Sequence, residues 1–149
     1  MLKVHKVRDV KTPERSGLNA GFDFFVPNEQ MFNVKLRPNE NLLIPSGIKV
    51  RLPKNHVLIA FNKSGIAYKR SLIIGACVID ENYTGEIGLN VINVGNDIQN
   101  INPGMKLAQF ILIKQSYHNV EVCEDLDKMY KGFNVKERGP EGFGSTGEK

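Results

Sequence analysis

An all-β sandwich or barrel with little helix is what this sequence predicts, on three observations. Apolar residues recur at period two or in short runs rich in β-branched members, turn signals punctuate the chain at short intervals, and helix-compatible stretches are few. In chain order, residues 48–52 (IKVRL) alternate apolar and charged side chains, as a half-buried strand does. Residues 57–61 (VLIAF) form a nearly continuous apolar run with β-branched members bounded by turn residues, which reads as a strand, and residues 64–72 then allow a turn or two of helix. Ile87, Leu89 and Val91 share one face at period two, residues 107–113 (LAQFILI) make a second apolar run, and residues 121–130 allow another short helix. The stretches RPNEN, IPSGI, LPKNH, NVGND and INPGM supply the turns between them.

A chain of 149 residues is expected to fold as one domain, with roughly two-thirds of its unfolded surface buried and no need of disulfides. With 41% hydrophobic and 24% charged residues it has an ordinary globular composition. No apolar run approaches the roughly 20 residues of a spanning helix, so no membrane association is expected. The N-terminal MLKVHKVRDV is too polar for the apolar segment of a signal peptide, which makes a cytoplasmic setting the expectation. In a reducing compartment Cys77 and Cys123 are expected as free thiols. The net charge of +4 points to an anionic partner. Because the basic residues are dispersed, with no stripe of Lys, Arg and aromatics, a local phosphate site is favoured and direct nucleic-acid binding is not expected.

Three segments carry the chemistry. NKSGIAYKRS, residues 62–71, puts Lys63, Ser64 and Gly65 between an apolar strand and a helix-compatible stretch, where backbone N–H groups, a hydroxyl and an ammonium would suit an anion; Ser64 as a plain helix N-cap is the competing reading. GACVIDENYTGEIGLN, residues 75–90, reads as a β-hairpin whose turn carries Asp80 and Tyr83, with an ordinary turn aspartate as the alternative. The terminal RGPEGFGSTGEK, residues 138–149, is either a mobile end or a flap ordering over a ligand with a flat face for Phe143 and anionic oxygens for Arg138, Ser145 and Thr146. His5, His56 and His118 lack ligand spacing, and neither a GxGxxG nor a P-loop pattern occurs.

Five segments in order, AGFDFF (20–25), NKSGIAYK (62–69), GACVIDENYTGEI (75–87), PGMKLAQF (103–110) and RGPEGFGSTG (138–147), resemble the five motifs of the trimeric dUTP pyrophosphatases, or dUTPases, of bacterial or phage type. The resemblance implies a jelly-roll-like β-barrel with at most one short helix, assembling as a homotrimer with active sites between subunits. The barrel domain would span 1–137 and a flexible Gly-rich flap 138–149. The implied reaction is hydrolysis of dUTP to dUMP and pyrophosphate with Mg2+, which limits uracil in DNA and supplies dUMP for thymidylate synthesis. Asp80 would be the general base for the water attacking the α-phosphorus. Tyr83 would pack under the deoxyribose, and backbone near Cys77 and Gly88 would read uracil. Lys63, Ser64, Gly65 and Gln109 would hold phosphate oxygens, with Asp23 supporting the site and the metal's water shell. Magnesium would be held mainly by the triphosphate, without a direct protein ligand. In the flap Phe143 would cover the base, Arg138 would reach the terminal phosphate, and Gly144, Ser145 and Thr146 would complete the closure.

The chain departs from the family pattern at four places. Lys63 stands for an arginine and loses its planar fork. Cys77 replaces a glycine, Met105-Lys106 replaces Asp-Arg, and Glu141 replaces a glycine in the flap. Lys63 and Met105 are expected to be coupled through a shared ionic network. The alternatives are a dCTP deaminase-like enzyme, which would need a glutamate base, and a nucleotide-binding regulatory protein with a protein partner.

Overall fold

The structure, a computed structural model, describes residues 1–132. The chain divides into two compact units, 1–117 and a second beginning at His118. The expected boundary at 137/138 lies outside the described residues.

Unit one is built of eleven short strands: β1 (Lys3–Lys6), β2 (Phe22–Phe25), β3 (Val34–Leu36), β4 (Asn41–Pro45), β5 (Ile48–Arg51), β6 (His56–Asn62), β7 (Leu72–Ile74), β8 (Val78–Ile79), β9 (Gly88–Asn93), β10 (Gln99–Ile101) and β11 (Lys106–Lys114). A 3-10 turn spans Gln30–Phe32, and one α-helix, α1 (Ser64–Arg70), follows β6. All pairings are antiparallel. They form a four-stranded sheet in the order β2-β11-β6-β8, a three-stranded sheet β4-β9-β7, and the pairs β1-β5 and β10-β3. The apolar runs at 57–61 and 107–113 become the central pair β6 and β11, and the alternating residues around 89 become β9, whose Leu89 and Val91 are fully buried.

The core lies between these sheets. Phe24 and Phe110 pack with ring centroids 4.3 Å apart and tilted by 42°, an arrangement that suits their quadrupoles. Leu58, Leu72, Ile87, Ile101 and Leu107 belong to the same buried cluster. β11 carries a bulge between Lys106 and Ala108 where it meets β2. The extra residue breaks the alternation, so Leu107 and Ala108 are both buried while Lys106 stays outside on the face of its diagonal neighbour Asp23.

One sequence expectation needs correcting. Residues 75–90 are not a hairpin: β8 pairs with β6 in one sheet, whereas β9 pairs with β4 and β7 in another. The physical reason lies at the corner between β4 and β5. Ile87 donates its N–H to the Ile48 carbonyl and accepts from the Ser46 N–H, both at 2.9 Å. The Glu86 carboxylate takes the Gly47 N–H at 2.7 Å and the Arg8 guanidinium at 2.9 Å. The chain after Gly85 is thereby drawn to the other sheet, and the Asp80-Tyr83 segment becomes the crossover.

Of the second unit, residues 118–132 are described. They contain the single-turn α2 (Leu126–Met129), whose cap Asp125 accepts from the N–H groups of Asp127 (3.0 Å) and Lys128 (3.2 Å). It is shorter than the 121–130 span allowed by the sequence. Among the described residues, no helix is long and apolar enough to cross a membrane. Both cysteines are free thiols.

Candidate functional site

The predicted site residues fall into two groups, one where β6 ends and one on the segment from Cys77 to Gly88, which starts beside Ala60 of β6 and carries Asp80 toward the strand's beginning. The first sits where β6 runs into α1. Lys63, extended at φ −83° and ψ 122°, is the N-cap of α1 and makes no side-chain capping bond. Ser64 is the first helical residue and therefore not the cap; it is exposed, as is Gly65. Gln109 lies opposite Phe61 of β6 on one side and Asp23 of β2 on the other. Its amide donates to the Asn62 carbonyl at 2.8 Å. Gly21 leaves the space that this side chain fills, since a Cβ there would stand 3.0 Å from Gln109 Oε1.

A chain of alternating charges joins this group. The Lys63 ammonium donates to Asp23 Oδ1. Lys106 reaches Asp23 Oδ2 at 3.1 Å and Glu14 Oε1 at 3.0 Å, and Lys11 meets Glu14 Oε2 at 2.8 Å. Glu14 is fixed there by a backbone bridge to Asp23. Partial burial pushes the Asp23 carboxyl up, but the hydrogen bonds from Lys63 and Lys106 outweigh it and hold the group below its usual range. Lys11 and then Lys106 lower Glu14 in the same way, and Glu14 and Asp23 raise Lys106.

The second group lies on the crossover. The Cys77 carbonyl accepts the Ala60 N–H at 2.7 Å, and its thiol lies 3.3 Å from the Gly75 carbonyl. Strand β8 then ties Val78 to Ile59 and Ile79 to Leu58. Asp80 is exposed at the start of a turn closed by the Tyr83 N–H on the Asp80 carbonyl at 3.1 Å. The Tyr83 hydroxyl donates to the Glu86 carbonyl at 2.8 Å. The ring crosses Gly85 so closely that a Cβ there would meet Tyr83 Oη at 2.3 Å, so the ring keeps this place only over a glycine. Gly88 opens β9 opposite Pro45.

A cleft of about 690 Å³ opens beside Asp80, lined also by Glu81, Asn82, Lys54, Gln115 and Tyr117. Among the described residues no three His, Cys, Asp or Glu side chains converge as metal ligands. Glu14, Lys11, Glu81 and Tyr117 were not anticipated from the sequence. Glu81 has its partners 26 and 36 positions away and Glu14 meets Lys106 across the sheet, while Lys11 and Glu14, three residues apart, carry no motif that marks them. Arg138, Phe143, Gly144, Ser145 and Thr146 lie outside the described residues, as does Glu141.

Register separates Asp80 from Lys63. Because Ile79 is opposite Leu58, Asp80 follows beside Val57, six residues before Lys63. At about 3.3 Å per residue this puts Asp80 and Lys63 of one chain roughly 20 Å apart.

The family model for dUTPase matches residues 9–147. A deoxyuridine 5'-triphosphate nucleotidohydrolase of Clostridium novyi is 36% identical over 131 residues, covering 87% of this chain and 84% of the relative. The enzyme of the same name from fowlpox virus is 30% identical over 148 residues, covering 98% and 97%. A solved Staphylococcus bacteriophage 80alpha dUTPase with dUPNHPP superposes with a TM-score of 0.83 at 25% identity, covering 99% of this chain and 98% of that one.

Proposed function

The chain belongs to the dUTPase family, and we propose from this that it hydrolyses dUTP, releasing dUMP and pyrophosphate, with Asp80 as the general base. In the cytoplasm this keeps uracil out of DNA and supplies dUMP for thymidylate synthesis. The exposed Asp80 carboxylate orients a water and takes its proton as the water oxygen attacks the α-phosphorus. The bond from that phosphorus to the bridging oxygen breaks, and pyrophosphate leaves. A base held in this way contributes about 10²–10⁴ in rate.

The observation that carries the assembly is the separation of roughly 20 Å between Asp80 and Lys63 along β6. A triphosphate tail is far shorter. One nucleotide therefore cannot be attacked at Asp80 and held by Lys63, Ser64, Gly65 and Gln109 of the same chain, and a second copy must bring the phosphate-holding group. A cyclic homotrimer meets this need, each copy lending one group to each neighbour. Tyr83 packs under the deoxyribose, and backbone at Cys77 and Gly88 reads the base. The Cys77 carbonyl is turned to the Ala60 N–H of β6, and its N–H is the donor offered to the pyrimidine edge. The terminal segment from Arg138 closes over the substrate with Phe143 on the base; removal of residues 138–149 is expected to abolish most turnover.

Magnesium fits a site that it enters on the triphosphate, as this ion commonly binds through phosphates and waters with few carboxylates. Both oxygens of Asp23 are engaged by lysines, so Asp23 suits contact with the ion's water shell. The bound ion would neutralise phosphate charge and align the tail.

The test is pyrophosphate release from dUTP, dTTP, dCTP and UTP, with magnesium and then with chelator. Magnesium-supported release from dUTP alone, lost by at least about a hundredfold in Asp80→Asn, is expected. Near-normal turnover by Asp80→Asn would put the base elsewhere.

A further inference from the structure

Asp80 sits on an exposed turn, so its aim depends on what holds the backbone on either side. Upstream, Ile79 is fixed by its pairing with Leu58. Downstream, the next residue is held by a small ring of hydrogen bonds that the proposed reaction does not use. Glu81 Oε2 accepts the Asn55 N–H at 2.7 Å and the Tyr117 hydroxyl at 2.7 Å. Gln115 Nε2, which can only donate, lies 2.7 Å from the Tyr117 oxygen. The Tyr117 proton is therefore left for Glu81, and the direction of the chain is set. The ring closes through the Gln115 N–H on the Asn55 carbonyl at 2.9 Å. Asn55 itself has φ +60°, a left-handed conformation that defines the turn before β6.

We infer that Glu81 and Tyr117 are positioning residues for Asp80: they clamp the Asp80 turn to the segment that follows β11 and to the turn before β6. The clamp lies on the wall of the cleft that Asp80 lines, and it holds the neighbouring peptide with a charge-assisted pair, stronger than a neutral bond. The two bonds converging on one carboxylate hold the Glu81 carboxyl below its usual range, Tyr117 contributing most. A carboxylate engaged from two elements resists rotation of the turn, which is what a base aimed at one water requires.

The inference rests on Asp80 as the base, and the experiment separates the two. Steady-state kinetics on dUTP would be measured for Tyr117→Phe, Glu81→Ala and Glu81→Gln, each alone and combined with Asp80→Asn. Tyr117→Phe and Glu81→Ala are expected to lower kcat by about tenfold or more while KM stays within about twofold. Glu81→Gln, whose amide oxygen accepts the same two donors, is expected to recover most of that loss. On the Asp80→Asn background Glu81→Ala is expected to cost under about twofold, because the group it aims is gone. Unchanged kcat in both Tyr117→Phe and Glu81→Ala, or an equal loss with and without Asp80, would overturn the positioning role while the base assignment stands. Near-normal turnover by Asp80→Asn alone would overturn the base assignment, and the clamp's role with it. Should Glu81→Ala fold poorly, Tyr117→Phe, which removes one exposed hydroxyl, carries the test.

Discussion

Two inactive variants should restore one another. Asp80→Asn lacks the base but keeps the phosphate-holding group; Lys63→Ala has the reverse defect. If each site takes Asp80 from one copy and Lys63 from the next, a mixed ring contains intact sites wherever a Lys63→Ala copy precedes an Asp80→Asn copy. In an equal, random mixture the chance is one half for each position, so about one quarter of sites are whole. A three-to-one mixture lowers this to roughly three sixteenths, and activity against mixing ratio follows a symmetric hump. Each variant alone is expected below about one per cent of wild type, the loss of a base or of a charge-assisted phosphate contact. The assay is pyrophosphate release after co-expression, or after joint unfolding and refolding to exchange subunits. The expectation of rescue comes from the strand register, which keeps Asp80 and Lys63 roughly 20 Å apart in one chain. Mixtures no more active than the sum of their parts would show that one chain supplies both groups, and the register argument would fall.

Two further outcomes follow from the same geometry. Gly85→Ala forces the Tyr83 ring off its present place, because the new Cβ would meet Cζ at 2.5 Å. The preference for dUTP over UTP is expected to fall by about tenfold in kcat/KM, and an unchanged ratio would refute Tyr83 as the surface that excludes a 2′-hydroxyl. Asp23 makes stability depend on pH in a definite direction. Its folded pKa is depressed, burial opposing and the two lysine hydrogen bonds prevailing. The contribution is thus present above the unfolded pKa of about 3.9 and is lost as pH falls through the lower folded value. The melting-temperature difference between wild type and Asp23→Asn should be full near neutrality and shrink below about pH 4; a difference that grew on acidification would reject the pairing.

The strands were legible because burial writes itself into local sequence. β6 and β11 read as apolar runs, with one face buried through Leu58, Ala60 and Phe110 and the other only partly covered, while β5 alternates buried and exposed residues along its four positions. Helix α1 was legible in place, but the role of Ser64 was not. Whether the cap falls at 63 or 64 turns on the backbone angles of Lys63, which are extended and not helical. The misread hairpin has a more distant origin. Residues 75–90 have the local signature of two strands and a turn, and what sends the second strand to another sheet is Glu86, held by Arg8 and Gly47, 78 and 39 positions away. The family was recognisable from the motifs in their order. The clamp at Glu81 was not, since Asn55 and Tyr117 are 26 and 36 positions distant.

The same limit decides which substitutions act together. From sequence, Lys63 and Met105 stand out as joint departures from an arginine and an aspartate. In the structure they serve different partners. Lys63 bonds Asp23, whereas Met105 Sδ lies 3.2 Å from Arg70 Nη1, and Arg70 also holds Gln99 Oε1 at 3.0 Å. The residue that shares a partner with Lys63 is Lys106, through the other oxygen of Asp23. The Asp23 side chain is only 20% exposed, so it is partly shielded from the water that would otherwise replace a lost lysine. Removing one lysine leaves the carboxylate one partner, and removing both leaves it charged, half-desolvated and unpaired. In a double-mutant cycle of Lys63→Met and Lys106→Met, the double variant should therefore lose at least about 0.5 kcal/mol more than the sum of the singles. Lys63→Arg with Met105→Asp should instead add within about 0.5 kcal/mol, because Met105→Asp gives Arg70 a carboxylate and leaves Asp23 untouched. Both cycles are read by denaturant unfolding at fixed protein concentration, since assembly links stability to concentration. Additivity in the first cycle together with coupling in the second would mean that Asp23 is not the hub and that α1 transmits the effect along its length.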